Sequence, residues 1–233
     1  MKIAVPITAI NLDQIRRDID SAEKEGADLI ELRVDYLSHE EELRERTIER
    51  LLDFPSIPII FTNRHKDEAG PDPRAGFPGT ESQRKYLLDF AFSKGVDYAD
   101  IEASYPLEIK NRKNTRIIYS AHDFMKTPRN LEGLYRKIRK NISGFREGEG
   151  GDLIKIATMA KSREDAIRML DLTRVAQSFI GVCMGEYGKP TRAIGPYFGS
   201  YLAYASLEAG KESAPNQLRI RDLRELSSRL GID

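Results

Sequence analysis

A chain of 233 residues suits one ordinary domain or one compact barrel. Its 37 basic and 37 acidic side chains cancel, so no net charge draws it toward nucleic acid or an anionic membrane. The one cysteine, Cys183, excludes an internal disulfide and fits a reducing cytosol; no signal peptide and no membrane-spanning apolar run stands in the sequence, so a cytoplasmic globular protein is expected.

The predicted elements alternate from the first residues onward. A strand at Lys2–Ile7 leads to a helix at Asn11–Gly26, with Asn11 as N-cap, an apolar stripe of Leu12, Ile15, Ile19 and Ala22, and Gly26 as the stop. Strand Asp28–Val34, helix Glu40–Leu52 and strand Ile57–Thr62 follow. Asn63–Gly79 is rich in Gly, Pro and charge without a period, so it reads as a long loop, and long loops in compact domains are usually functional. Beyond it come helix Thr80–Gly95, strand Val96–Ala103, a short helix at Pro106–Lys113, strand Arg116–Ala121 and helix Asn130–Glu147. The last part reads as strand Asp152–Met159, helix Ser162–Ala176, strand Ser178–Cys183, a glycine-rich loop Met184–Gly199 with room for a helical turn, strand Ser200–Ala205 and helix Gln217–Leu230. About eight strand–helix units without internal repeats or a linker predict a single (β/α)8 TIM barrel over residues 1–233. A doubly wound open sheet is the alternative, but no G-x-G-x-x-G follows the first strand.

Polar residues on strand faces indicate where chemistry would sit. Lys155 interrupts the β-rich run Asp152–Met159, sharing a face with Leu153 and Ala157. A buried ammonium is costly to desolvate, and a free amine beside a bound ketone forms a Schiff base. The bland alternative is an ion-paired lysine. Glu31 and Arg33 share one face of the second strand, Thr62 and Arg64 the end of the third, Asp100 and Glu102 the fourth, and Ser120 and His122 the fifth. All sit late in their strands, toward the C-terminal mouth where barrel active sites are built. Three acids and three bases among them would otherwise form a buried charge network. His122 closes its strand and titrates near neutrality, as a proton shuttle would, whereas His39 and His65 read as loop residues with no partner. No Cys/His spacing suggests a metal. Glycines 185, 188 and 195 would suit a phosphate, while Arg192 serves any oxyanion, carboxylate included.

Six motifs occur in order along nearly the whole chain: Glu31-Leu-Arg33-Val-Asp35; Phe61-Thr-Asn-Arg64 with Glu68; Ser120-Ala-His122-Asp-Phe124; Lys155-Ile-Ala; Met184-Gly-Glu-Tyr-Gly188-Lys-Pro-Thr-Arg192; and Ser213-Ala-Pro-Asn-Gln217. Together they resemble the type I 3-dehydroquinate dehydratases, Schiff-base enzymes of the shikimate pathway. The resemblance implies a barrel, often homodimeric, with no metal or organic cofactor and with 3-dehydroquinate as substrate. It implies that Lys155 forms the imine, that His122 moves protons and that Glu68 orients His122. It also implies that Arg192 pairs with the substrate carboxylate, that Ser213 and Gln217 close over it, and that Glu31, Arg33 and Arg64 bind ring hydroxyls. Pro6 stands where some members carry a small hydroxyl residue that touches substrate, Ala69 replaces a glycine often seen after the Glu68 position, and Thr191 and Ala121 vary within their motifs without removing a catalytic group. Two other readings stand beside this one. A Schiff-base aldolase or transaldolase would want a phosphate cradle. A non-catalytic binder of shikimate-like acids would lack the lysine or the histidine, and both are present.

Overall fold

The computed structural model describes residues 1–37, 45–105, 109, 111–208, 210 and 212–231. Eight parallel strands form one sheet: β1 (Ile3–Ile7), β2 (Leu29–Arg33), β3 (Ile59–Thr62), β4 (Tyr98–Glu102), β5 (Arg116–Asp123), β6 (Leu153–Met159), β7 (Phe179–Met184) and β8 (Ala203–Tyr204). They neighbour one another in sequence order, and β8 returns to pair with β1 through Ala4 opposite Tyr204. A backbone bond from Tyr201 N–H to Phe179 O, 2.8 Å, bridges the seam between β7 and the approach to β8. The result is a (β/α)8 TIM barrel, nearly closed and wrapped by helices α1 (Leu12–Lys24), α2 (Glu45–Leu52), α3 (Glu81–Lys94), α4 (Leu131–Asn141), α5 (Arg163–Val175), α6 (Lys189–Ile194) and α7 (Ile220–Leu230).

The caps follow from residue chemistry. Asn11 accepts the Gln14 amide at the start of α1, and Thr80 with Gln83 makes a reciprocal capping box on α3. Gly95 ends α3 at φ +77°, a left-handed turn that a side chain would strain. Outward strand residues such as Val5, Ile30, Phe61 and Ile101 pack against the helices in the main core. A second cluster, including Ala4, Leu29, Ile60, Ile118, Leu153 and Ile180, fills the lower lumen. Below it Tyr98 and Tyr201 share a hydrogen bond of 2.6 Å, and Arg116 donates to both hydroxyls.

A short recurrence escapes a search for whole repeats. Gly26-Ala-Asp28, Gly95-Val-Asp97 and Gly150-Gly-Asp152 each precede an even-numbered strand. The three carboxylates accept the amides of Ile3, Ile59 and Ile117, at the starts of the preceding odd strands, at 2.7, 2.9 and 2.9 Å. Each Asp thus satisfies an edge amide at the barrel's N-terminal rim, where no intra-sheet acceptor remains.

Several boundaries differ from expectation. The helix expected over Asn130–Glu147 stops at Asn141, because Asp152 and Arg112 engage the following turn through Arg146 N–H and Gly144 O. The final strand shrinks to Ala203–Tyr204, the seventh shifts to Phe179–Met184, and the closing helix begins at Ile220. The glycine-rich loop after β7 contains α6. Ile109 and residues 111–113 are not helical, while the other half of the helix expected at Pro106–Lys113, the first turn of Glu40–Leu52 and His39 lie outside the described residues.

Candidate active site

β5 and β6, of 8 and 7 residues, are the longest strands, and they carry His122 and Lys155 into the upper lumen. Ser120 stands opposite Lys155 and His122 opposite Ala157, so strand alternation points all four inward. The same parity brings Glu31 and Arg33 in from β2, Thr62 from β3, and Asp100 and Glu102 from β4. The apolar lower lumen supports this polar tier and keeps water from below it.

The Lys155 ammonium does not stand in apolar surroundings. Its Nζ donates to Asp100 Oδ2 at 3.0 Å and lies 3.9 Å from Glu31 Oε1. It also sits 4.3 Å above the centre of the Tyr204 ring. Arg64 Nη1 reaches Asp100 and Glu102 at 2.8 Å each and Ser120 Oγ at 2.9 Å. Glu102 spends its other oxygen on Arg84 of α3 at 2.7 Å, and Glu31 accepts from Thr62 Oγ1 at 2.9 Å. The buried charge network anticipated as a bland alternative is therefore real, but it forms the floor and one wall of a cavity rather than replacing it. Although burial opposes ionisation, the Arg64 and Lys155 cations hold the Asp100 carboxyl far below the usual carboxylate range.

The 3-10 turn Lys66–Glu68, in the long loop after β3, brings Glu68 against His122. Glu68 Oε2 accepts the His122 backbone N–H and meets Nδ1, both at 3.0 Å. Burial raises the Glu68 carboxyl to about 7, with the Arg64 cation opposing the shift. Burial, followed by the Arg64 and Lys155 cations, pushes His122 well below its ordinary value. The imidazole is accordingly neutral, and an ionised Glu68 assigns its proton to Nδ1, leaving Nε2 as the basic nitrogen. Gly70, at φ +85°, lets this loop lie on the Phe124 ring: a Cβ there would stand 2.5 Å from Phe124 Cε1.

Arg192 of α6 is 2% exposed, and no carboxylate among the described residues pairs with it. Burial lowers its pKa to about 10, its Nε has no hydrogen-bond partner among those residues, and Nη2 reaches Pro215 O at 3.5 Å. Ser213 donates through N–H and Oγ to Gln217 Oε1, while Gln217 Nε2 is unpartnered among the described residues. Unpaired, desolvated donors form a receptor for an anion. Phosphate finds no amide cradle: Gly185 N–H donates to Pro215 O, Gly188 to Gly185 O and Gly195 to Thr191 O.

All nine residues nominated from sequence, Glu31, Arg33, Arg64, Glu68, His122, Lys155, Arg192, Ser213 and Gln217, line one cavity. Arg33 does so while clamped bidentately to Asp35 at 2.7 and 2.8 Å. Sequence reading placed Asp100 on a lumen face without giving it a role, and it passed over Tyr204, whose short strand carries little periodic signal. It also took His65 as unpartnered. His65 is buried, stacks on Tyr105 at 3.8 Å, accepts from Asp67 N–H and lies 3.3 Å from Glu81. Among the described residues no group of three or more His, Cys, Asp or Glu side chains could hold a metal ion.

A barrel with a lysine, a neutral histidine and an unpaired arginine around one cavity at its C-terminal mouth defines a class of lysine-centred barrel enzymes. Within that class the chain belongs to the type I 3-dehydroquinase family, whose model matches residues 3–233. It is 37% identical to the 3-dehydroquinate dehydratase of Methanocaldococcus jannaschii, covering 92% of this chain and 93% of that one. It is 33% identical to the bifunctional 3-dehydroquinate dehydratase/shikimate dehydrogenase of Arabidopsis thaliana over 99% of this chain but 38% of that longer protein. The crystal structure of the Geobacillus kaustophilus 3-dehydroquinate dehydratase superposes with a TM-score of 0.82 at 27% identity, covering 99% of this chain and 91% of that one. The chain is thus a hydro-lyase that dehydrates 3-dehydroquinate, a step of the shikimate pathway.

Proposed function

We propose that the chain converts 3-dehydroquinate to 3-dehydroshikimate through a Schiff base on Lys155, with His122 as acid and base, Glu68 as its orienting partner and Arg192 as the carboxylate receptor. The single observation that carries this reading is the convergence of Lys155, a neutral His122 and an unpaired Arg192 on one cavity.

The reaction begins when the Lys155 amine adds to the C3 ketone. The carbonyl π pair moves to oxygen, which takes a proton from solvent, while the nitrogen gives one of its protons to Nε2 of His122. The carbinolamine expels that hydroxyl as water, with His122 supplying the proton, and leaves an iminium. The iminium acidifies C2, and Nε2 of His122 removes the C2 proton as the electron pair moves toward nitrogen. The resulting enamine pushes its pair back, the bond from C1 to its hydroxyl breaks, and His122 returns the proton so that water departs. Hydrolysis of the conjugated iminium releases product and the amine. An arginine fork reads the carboxylate, and the Ser213–Gln217 segment closes over it. Glu31, Arg33 and Arg64 meet the ring hydroxyls. The occupied glycine amides after β7 weigh against a sugar phosphate, and the intact lysine and histidine weigh against a non-catalytic binder.

We further read the molecule as a single catalytic domain that works as a cytoplasmic homodimer. The free, buried Cys183 supports a reducing compartment, and among the described residues no helix is long and apolar enough to cross a membrane. Borohydride quenching in the presence of 3-dehydroquinate, followed by peptide mass mapping, tests the mechanism. A reduced adduct on the peptide carrying Lys155 is expected; unmodified, folded protein with untouched substrate would overturn it.

A further inference from the structure

Lys155 Nζ is held on three sides. Asp100 Oδ2 lies at 3.0 Å, Glu31 Oε1 at 3.9 Å and the Tyr204 ring centre at 4.3 Å. Asp100 cannot swing away, because its Oδ1 accepts from Arg64 at 2.8 Å and from Ser120 Oγ at 2.6 Å. Tyr204 is equally fixed: it is 6% exposed, pairs in register with Ala4 and packs on the apolar lower lumen. Its hydroxyl has no hydrogen-bond partner among the described residues. Burial, then the Glu31 and Asp100 charges, keeps that hydroxyl protonated, so the ring presents a neutral π face. An unpartnered buried hydroxyl costs desolvation rather than helping the fold, while the ring face is the part of this side chain that meets Lys155 Nζ.

We propose that Asp100 and Tyr204 are further catalytic residues, forming a cradle of carboxylate and aromatic face that stabilises the positive charge on the Lys155 nitrogen when it is an iminium. The inference rests on the Schiff-base reading of the site. Charge appears on this nitrogen twice: when the carbinolamine loses water, and again when the enamine expels the C1 hydroxyl. In both steps a nitrogen lone pair becomes a C=N π bond as a C–O bond breaks, and the leaving oxygen takes its proton from His122. A fixed carboxylate and a π face both favour the cationic side of these steps, in a site where no solvent reorganisation is needed. Ammonium and iminium carry their charge at the same atom, so the contacts in the resting structure are already those the intermediate uses.

The test is borohydride trapping of 3-dehydroquinate on the full chain across pH, read beside kcat. Tyr204→Phe retains the ring and is expected to restore trapping and kcat relative to a variant that lacks it. Tyr204→Leu is expected to lower both roughly tenfold and to move the midpoint of the trapping–pH curve down by about one unit, the range of a desolvated cation–π contact. Asp100→Asn, which leaves Arg64 paired with Glu102, is expected to lower kcat roughly 10–100-fold with a larger shift of the same midpoint. A merely structural role would lower amplitude without moving that midpoint. If the parent traps substrate on Lys155 while Tyr204→Leu leaves midpoint and kcat unchanged, the cradle is refuted and the Schiff base stands. A parent that traps nothing refutes the Schiff base itself.

Discussion

His122 and Glu68 share contacts of 3.0 Å while burial drives their proton affinities in opposite directions. In the proposed mechanism His122 must be neutral to accept a proton, and burial beside Arg64 and Lys155 favours that form. Glu68 must be ionised to assign that proton to Nδ1, and its carboxyl ionises only as pH passes about 7. The acid limb of kcat/KM is therefore expected near pH 7, and Glu68→Gln should abolish that limb while lowering kcat. His122→Ala should leave the Lys155 adduct detectable and slow elimination ~10²–10⁴-fold, measured by single turnover; parental turnover would assign the proton transfer elsewhere. Stability runs the other way for Glu68. Its folded-state pKa lies above its ordinary value of 4.5, so the folded state binds more protons and loses stability as pH rises from 4.5 through about 7. Glu68→Gln is accordingly expected to stabilise the fold at pH 8 by up to ~3 kcal/mol, read from urea midpoints. His122 has the opposite sign: its depressed pKa leaves the fold weaker below its ordinary value of 6.5.

At the scale of elements, the loop between β3 and α3 and the rim of the strands do different work. Glu68 meets His122, and two residues further along each chain segment Gly70 meets Phe124. Gly70→Ala would strain φ at +85° and drive a methyl into the Phe124 ring, so it should displace Glu68 and lower kcat more than it lowers stability. Circular dichroism melts beside turnover separate the two effects. At the opposite rim, Asp97→Ala removes the acceptor of the Ile59 amide and is expected to cost about 1 kcal/mol with kcat unchanged. These elements also mark how legible the chain was. Helices α1 and α3 carry capping residues and glycine stops in their own sequence, and both lie within two residues of the expected bounds. The end of α4 was not legible, because it depends on Arg112 and Asp152, which are remote from it in sequence.

Across the whole molecule, the barrel is unevenly held. β5 and β6 pair over six positions, from Ile118 with Leu153 to Asp123 with Thr158, whereas β8 pairs with β1 at two. Hydrogen exchange is expected to be slowest in β5 and β6 and fastest along β8, which places Lys155 and His122 on the most protected strands. Equal protection around the barrel would contradict this. Such placement suits a site whose groups must stay within tenths of an ångström of their working geometry.

The order of elements, the barrel and the lumen positions of Glu31, Arg33, Arg64, His122 and Lys155 were readable from the chain alone, because strand parity and position late in a strand are local properties; Arg192 stood out as a cation after the seventh strand, and Glu68, Ser213 and Gln217 came only from the motif resemblance. The resemblance in motifs then supplied the chemistry. What only the tertiary structure decided is which charge faces which. Arg33 is clamped to Asp35, whereas Arg192 has no carboxylate partner among the described residues although Glu186 stands in the same motif and pairs with Lys189 instead. Asp100, 55 residues from Lys155, becomes its closest anion, and Tyr204, from a strand of two residues, becomes the surface beneath it. Burial, pairing and pKa arise between strands brought together by barrel closure, so they exist only once the ring has formed.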